Sequence, residues 1–175
     1  SFDSTIDAAD STNPEVLTLI SGTGTTSITG AIGATNDIAA LTIQASASTD
    51  TGAVSIGAIG SGTTAGATTV TIGHATDQPS KITFTGTHLT SSSTQTFRAD
   101  AYDINGTNTT FTASGQNITF AASTEAGGGA GDITLSDNTN LTINTGAGGG
   151  NVSIGDTITN STVGADGDDA TDITI

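Results

Sequence analysis

Short segments in which apolar residues alternate with Thr, Ser or Asn recur along the whole chain. They occupy residues 17–20, 25–29, 40–45, 53–57, 69–73, 81–86, 96–104, 109–113, 117–122, 132–136, 141–144, 151–155 and 172–175. A period of two places the apolar side chains on one face of the segment, as in a half-buried β-strand. No helical period persists over three turns. The pattern therefore predicts an all-β protein of many short strands.

Internal repetition narrows the choice of architecture. The stretches "TTSITGAIGATNDIAALTI" (25–43), "AVSIGAIGSGTTAGATTVTI" (53–72) and "NVSIGDTITNST" (151–162) each end a strand in Ile, pass a Gly and reach a second Ile. Apolar anchors about fourteen residues apart accompany them: Ile28, Ile43, Ile56, Val70, Phe84, Phe97 and Phe111. Such a repeat favours a β-solenoid, because each turn needs only a thin apolar row that its neighbours complete.

A β-sandwich is the alternative, although a sandwich of this length normally contains more aromatic residues than one Tyr and five Phe. We expect residues 21–175 to form the repeat domain, within a longer or polymerised chain. The less repetitive residues 1–20 are expected to form an N-terminal cap or assembly segment. There Phe2, Ile6, Val16 and Leu17 could cap one end of the solenoid or insert into a neighbouring molecule. The first residue, Ser1, and the strand-like ending "ATDITI" indicate a processed protein or a fragment.

Charge and composition exclude several partners. The net charge is −15, and Lys81 and Arg98 are the only Lys or Arg residues, so nucleic acid and anionic membrane surfaces are not expected partners. No apolar run reaches the ~18 residues of a transmembrane helix. The chain has no Cys, which excludes disulfide scaffolds and thiol chemistry and is compatible with export from a bacterial or archaeal cell.

The repeats resemble those of a known class of protein. "GAVSIGAIGSGTTAGATTVTI", "NITFAASTEAGGGAGDITL" and "GGGNVSIGDTI" are similar to the strand repeats of very large bacterial surface proteins, including the filamentous-haemagglutinin-like exported adhesins. The resemblance covers most of residues 20–160. It implies a right-handed parallel β-helix, secreted to the extracellular space or cell surface. The secretion-domain motifs of that family are not evident here.

Calcium is the one cofactor that the sequence suggests. "GADGDDATD" contains Asp166, Asp168, Asp169 and Asp172, which could offer several carboxylate oxygens to Ca²⁺. The segment lacks the full ligand pattern of an EF-hand and its closing Glu. Acidic turns that keep the protein soluble are the alternative explanation, and no other cofactor is expected.

The sequence does not indicate an enzyme. No nucleophile motif is present, and His74 and His88 have no nearby carboxylate that would complete a metal site. A glycoside hydrolase needs two facing carboxylates, and the nearest pair is Asp100 with Asp103. Residues three apart on a strand point to opposite faces, which argues against a polysaccharide-degrading β-helix enzyme.

Two kinds of surface site remain as alternatives. Repeated Thr-x-Thr pairs, such as Thr83 with Thr85 and Thr157 with Thr159, are the residues from which ice-binding solenoids build flat arrays. Such an array requires turns of constant length that place the pairs in register, and the variable spacing here argues against that function; Thr is otherwise simply a common outward residue of strands. Sequons for N-glycosylation occur at Asn105, Asn108, Asn117, Asn140, Asn151 and Asn160.

These patterns together favour an extracellular structural protein that forms a surface filament, a layer or an adhesin stalk by stacking and self-association. Its main expected partner is therefore another copy or neighbouring repeats of the same chain. The alternative is an adhesin module that binds glycans or a host surface. The segment "FRADAYDING" would carry such binding, because it combines Tyr102 with Asp100, Asp103 and Arg98.

Overall fold

The structure is a computed structural model that describes residues 1–44, 52–74, 76–124, 127–136, 139–160 and 173–175. The described residues form sixteen β-strands and no helix, which confirms the all-β prediction. The strands are β1 Val16–Ile20, β2 Thr26–Ile28, β3 Ile38–Gln44, β4 Ala53–Ile56, β5 Ala67–Ile72, β6 Lys81–Phe84, β7 His88–Ser91, β8 Gln95–Ala99, β9 Ala101–Ile104, β10 Asn108–Ala113, β11 Ile118–Ala122, β12 Asp132–Leu135, β13 Asn140–Asn144, β14 Val152–Ile154, β15 Ile158–Asn160 and β16 Ile173–Thr174.

All pairing between these strands is parallel. A six-stranded sheet has the order β2-β4-β6-β9-β12-β15, and a ten-stranded sheet contains β1-β3-β5-β8-β11-β14 together with β7-β10-β13-β16. Lys81 pairs with Ala101 and Ile118 with Val152, so register partners lie between 20 and 34 residues apart. The two sheets are thus built from strands that return to the same ladder once per repeat, an arrangement compatible with a β-solenoid.

The anchors spaced about fourteen residues apart belong alternately to the two sheets from Ile28 to Phe97, and Phe111 follows in the ten-stranded sheet. Ile28, Ile56 and Phe84 are register partners in the six-stranded sheet, 28 residues apart, whereas Val70 and Phe97 belong to the ten-stranded sheet. The ladder repeat is therefore about twice the spacing read from the sequence. All seven anchor residues are buried, so the alternation identified the inward side correctly.

Aromatic rings fill the middle of the core. Phe84 contacts Phe97, Phe111 and Phe120 edge to face, with ring centroids 5.1, 4.9 and 6.3 Å apart. These rings come from β6, β8, β10 and β11, so the cluster ties the two sheets together. Aromatic pairs in this geometry stabilise a fold beyond the burial of their area.

Close backbone approach explains the many glycines between strands. A Cβ at Gly66 would overlap the backbone of Ile32 and Gly60. Gly73 follows β5 with a φ of 85°, and a Cβ there would overlap the carbonyl oxygen of Arg98. Only glycine combines this conformation with such close contact between successive connectors. The small-residue stretch 52–73 thus consists of two strands and their tightly packed corners.

The structure corrects the predicted strands at three places. Residues 96–104 form two strands, β8 and β9, because the chain turns at Asp100 and the inward positions change from Phe97 and Ala99 to Tyr102 and Ile104. Strands β7 and β15 were not predicted, since each contains a single large apolar residue. A strand with one inward apolar side chain shows only weak alternation in the sequence.

Removing the central ring should destabilise the fold strongly. We expect Phe84→Ala to lower the free energy of unfolding by about 3–5 kcal/mol, because the cavity would remove contacts with three rings. Denaturant unfolding followed by circular dichroism measures this. The matched control is Thr83→Ala on the outward side of the same strand, expected within about 0.5 kcal/mol of the wild type. Equal effects from both variants would contradict the assigned orientation of β6.

Candidate functional site

Tyr102 and the two acids near it lie in different environments. Tyr102 points inward from β9, is fully buried, and its hydroxyl donates a hydrogen bond of 2.6 Å to the Ala121 carbonyl oxygen. Its ring stands edge to face against Phe120 at 5.4 Å. A ligand outside the protein therefore has no access to the Tyr102 side chain in this conformation.

Asp100 and Asp103 have separate structural contacts. The Gly129 N–H donates to Asp100 Oδ1 at 2.7 Å, which attaches the connector before β12 to the corner between β8 and β9. Asp103 points outward from β9 and forms an ion pair with Lys81, with Nζ and Oδ2 2.7 Å apart. Both residues are half-buried. Of these three residues, the two acids are therefore partly accessible at the surface, whereas Tyr102 is not.

The four aspartates considered for calcium, Asp166, Asp168, Asp169 and Asp172, lie outside the described residues. Within the part of the chain that the structure describes, no group of three or more His, Asp or Glu side chains is arranged to hold a metal ion. The same part contains no helix long and apolar enough to span a membrane.

The sequon asparagines lie at the outer surface near strand ends. Asn105, Asn108, Asn117 and Asn151 are exposed and Asn140 is half-buried, whereas the side chain of Asn160 is outside the described residues. Two of these side chains form a ladder contact, in which Asn140 Nδ2 donates to Asn108 Oδ1 at 2.9 Å. The Asn140 nitrogen that would carry a glycan is thus already a hydrogen-bond donor to strand β10.

Residues 1–20 continue the ladders of the repeat. Phe2 pairs with Ile28, Ile6 with Ile32, and β1 with β3, all in parallel. Ile6 and Leu17 pack against the core, whereas the side chains of Phe2 and Val16 are 44% and 63% exposed. The structure therefore places all four predicted assembly residues at one end of the stack of strands.

A cavity opens at this end. Its volume is about 250 Å³, and its apolar lining includes Ile6, Val16, Leu17 and Ile38. Asp7 and Glu15 also line the cavity, and their carboxylates accept hydrogen bonds from backbone N–H groups. Thr35 N–H donates to Asp7 Oδ1 at 2.9 Å, and Ala9 N–H donates to Glu15 Oε2 at 3.2 Å. The cavity thus presents apolar surface and two acids that already have backbone partners.

The most regular surface feature was not visible in the sequence. Outward residues of β1, β3, β5, β8, β11 and β14 are register partners in one continuous line, which we call the threonine row. It consists of Thr18, Thr42, Thr71, Thr96, Thr119 and Ser153. The sequence separations within the row are unequal, and the differences are absorbed by the connectors, so no constant repeat length could reveal it.

Comparison with protein families, with characterised proteins and with solved structures finds no match to this chain.

Tyr102 makes the stability of the fold sensitive to alkaline pH. Burial raises the pKa of Tyr102 above its ordinary value of 10.0. An unfolded Tyr ionises near pH ~10, so above that pH the unfolded state loses a proton that the folded state retains. We therefore expect stability to be fully present below pH ~10 and to fall as the pH rises towards the pKa of the folded state.

Replacing Tyr102 with Phe tests this expectation. Tyr102→Phe should remove the alkaline loss of stability that comes from this group. At neutral pH it should cost about 1–3 kcal/mol, because the Ala121 carbonyl loses its partner. Thermal unfolding across alkaline pH gives the first quantity. Since Tyr102 is the only tyrosine, tyrosinate absorbance reports its ionisation directly. Full ionisation near pH ~10 in protein that is still folded would contradict the burial argument.

Proposed function

We propose that this chain is an extracellular structural segment, a β-solenoid that forms a surface filament, layer or adhesin stalk by end-to-end stacking. The observation that supports this proposal is the distribution of inward apolar residues along the ladders. In the middle strands these residues are fully buried. At both ends of the stack they are only partly covered.

The end at β1 exposes part of the core and an unpaired strand edge. Leu17 and Leu19 point inward from β1 but remain half-buried, because the described residues include no further strand beyond them. Phe2, which pairs with the buried Ile28, is likewise exposed. An edge of this kind is a template for another parallel strand.

At the opposite end, inward apolar side chains are likewise only partly covered. Val152, Ile154 and Ile158 are partly buried, and Ile173 is 46% exposed although its register partner Leu141 is fully buried. Stacking another set of strands on either end would bury these side chains and pair their backbone groups. Those strands could come from another copy or from adjoining chain.

The exterior suits a protein that must associate only at its ends. The net charge of −15 opposes random side-by-side contact. Parallel ladders along the whole stack would resist mechanical extension, since many backbone hydrogen bonds share the load. The resemblance to filamentous-haemagglutinin-like surface proteins supports the extracellular location that we propose.

A charge placed on the inward side of the edge strand should block stacking. We expect the wild-type chain to form rods or filaments in negative-stain electron microscopy. Leu19→Lys should leave single particles, because an inward ammonium at the edge opposes burial by the next molecule. The control is Thr18→Lys, which adds the same charge on the outward side of β1. A wild-type protein that stays monomeric in light scattering at high concentration would contradict self-association.

Ionic strength should control the same assembly. Because every copy carries a charge of −15, screening by salt should promote stacking between about 0.01 M and 0.15 M ionic strength. Light scattering over a sodium chloride series measures the effect. A larger effect of calcium at matched ionic strength, lost when Asp168 and Asp169 are replaced by Asn, would support the calcium site. Assembly that weakens as salt rises would contradict a repulsive surface.

A further inference from the structure

We propose that the outer face of the ten-stranded sheet along β1, β3, β5, β8, β11 and β14 binds ice through the threonine row. The inference does not depend on the proposed structural function, because it concerns a side of the stack and not its ends. It rests on three observations: the register of the row, the absence of hydrogen bonds from its hydroxyls to other described residues, and the distribution of charged side chains.

Register gives the row a regular spacing. Thr42, Thr71 and Thr96 are successive Cα partners, and the line continues to Thr18 on one side and to Thr119 and Ser153 on the other. Neighbouring strands of a sheet lie about 4.8 Å apart, so the six hydroxyls extend over roughly 24 Å. Unequal connectors do not disturb this spacing, which removes the objection raised by the variable repeat length.

A second row runs beside the first, two residues earlier on each strand. By the same register it consists of Val16, Ala40, Thr69, Thr94, Asn117 and Asn151, so Thr-x-Thr pairs lie side by side at β5 and β8 alone, in the middle of the face. Positions two apart on a strand are roughly 6.6 Å apart. The oxygen repeats of hexagonal ice lie near both spacings, so the four hydroxyls of Thr69, Thr71, Thr94 and Thr96 approximate a small patch of an ice surface.

The hydroxyls of the row are available to water. None of the six makes a hydrogen bond to another described residue, although a Thr hydroxyl both donates and accepts. Threonines elsewhere behave differently. Thr85 Oγ1 donates to the Ile56 carbonyl at 3.2 Å and Thr109 Oγ1 to the Gly86 carbonyl at 3.2 Å, so those hydroxyls are used within the fold.

Charge is segregated away from this face. The chain has 17 Asp and Glu residues, yet the threonine row and the rows two residues to either side contain none of them. Arg98, two residues after Thr96, is the one charged side chain in these rows. The corresponding row of the six-stranded sheet differs, because Asp103 stands between Thr83 and Thr134 and pairs with Lys81.

A face of regularly spaced hydroxyls and methyl groups, with no acidic side chain in its three rows, matches the chemistry of ice, which is a neutral lattice of donors and acceptors. A protein partner would normally meet an apolar centre with aromatic anchors, whereas the threonine row has no aromatic residue and its exposed apolar neighbours, Val16 and Ile20, lie at the β1 edge. The alternative is that a second copy of this chain covers the threonine row. The experiment below distinguishes that case from ice binding.

The test is thermal hysteresis of the full chain, measured by nanolitre osmometry, with ice-crystal shape recorded at each concentration. We expect the wild type to hold crystals without growth below the melting point and to shape them into facets. Thr71→Lys should reduce the hysteresis gap several-fold, because the bulky, hydrated ammonium keeps ice from the neighbouring hydroxyls. Thr96→Val, which keeps the shape and one methyl group, should cause a smaller loss.

The control is Thr134→Lys, an outward residue of β12 that carries the same change on the six-stranded sheet, and it should retain the wild-type gap. Thermal unfolding of each variant checks that the fold is retained. Absence of hysteresis and of crystal shaping in the wild type at millimolar concentration overturns the proposal. So does an equal loss in Thr71→Lys and Thr134→Lys. A wild-type dimer in light scattering that Thr71→Lys dissociates would assign the row to a second copy and overturn it as well.

Discussion

Parallel register is the constraint on which the rest of this structure depends. Each strand inside a sheet is held by main-chain hydrogen bonds to a parallel strand on either side, and side chains alternate between inside and outside. A slip of one residue would turn every inward side chain outward. The buried line Ile28–Ile56–Phe84 and the outward-facing, half-buried line Thr42–Thr71–Thr96 are two consequences of the same pairing.

Alternation in the sequence predicted the strand class and the inward residues, because both follow from local chemistry. It failed where the local signal is weak or interrupted. Strand β7 has only Leu89 as a large inward residue, and the corner at Asp100 joins two strands that read as one. The shift of the inward positions from Phe97 and Ala99 to Tyr102 and Ile104, which differ in parity, was the available signal for this corner.

Site prediction was less successful, since it depends on contacts between distant residues. Tyr102 was grouped with Asp100 and Asp103 because they are close in sequence, yet its parity with Ile104 marks it as inward. The threonine row could not be read from the sequence at all. Its members are brought into line by connectors of unequal length, and only the pairing reveals which residues are neighbours.

The aromatic cluster lies in the middle of the stack, whereas both ends contain only aliphatic inward residues apart from Phe2 among the residues that the structure describes. Contact density, and with it local stability, should therefore fall from the centre towards each end. The amide hydrogens of β1 and β14 would exchange with solvent sooner than those of β8 and β10. Such a segment has a rigid middle and ends that gain order when a neighbouring molecule covers them. Each contact between stacked molecules would therefore become rigid only after it has formed.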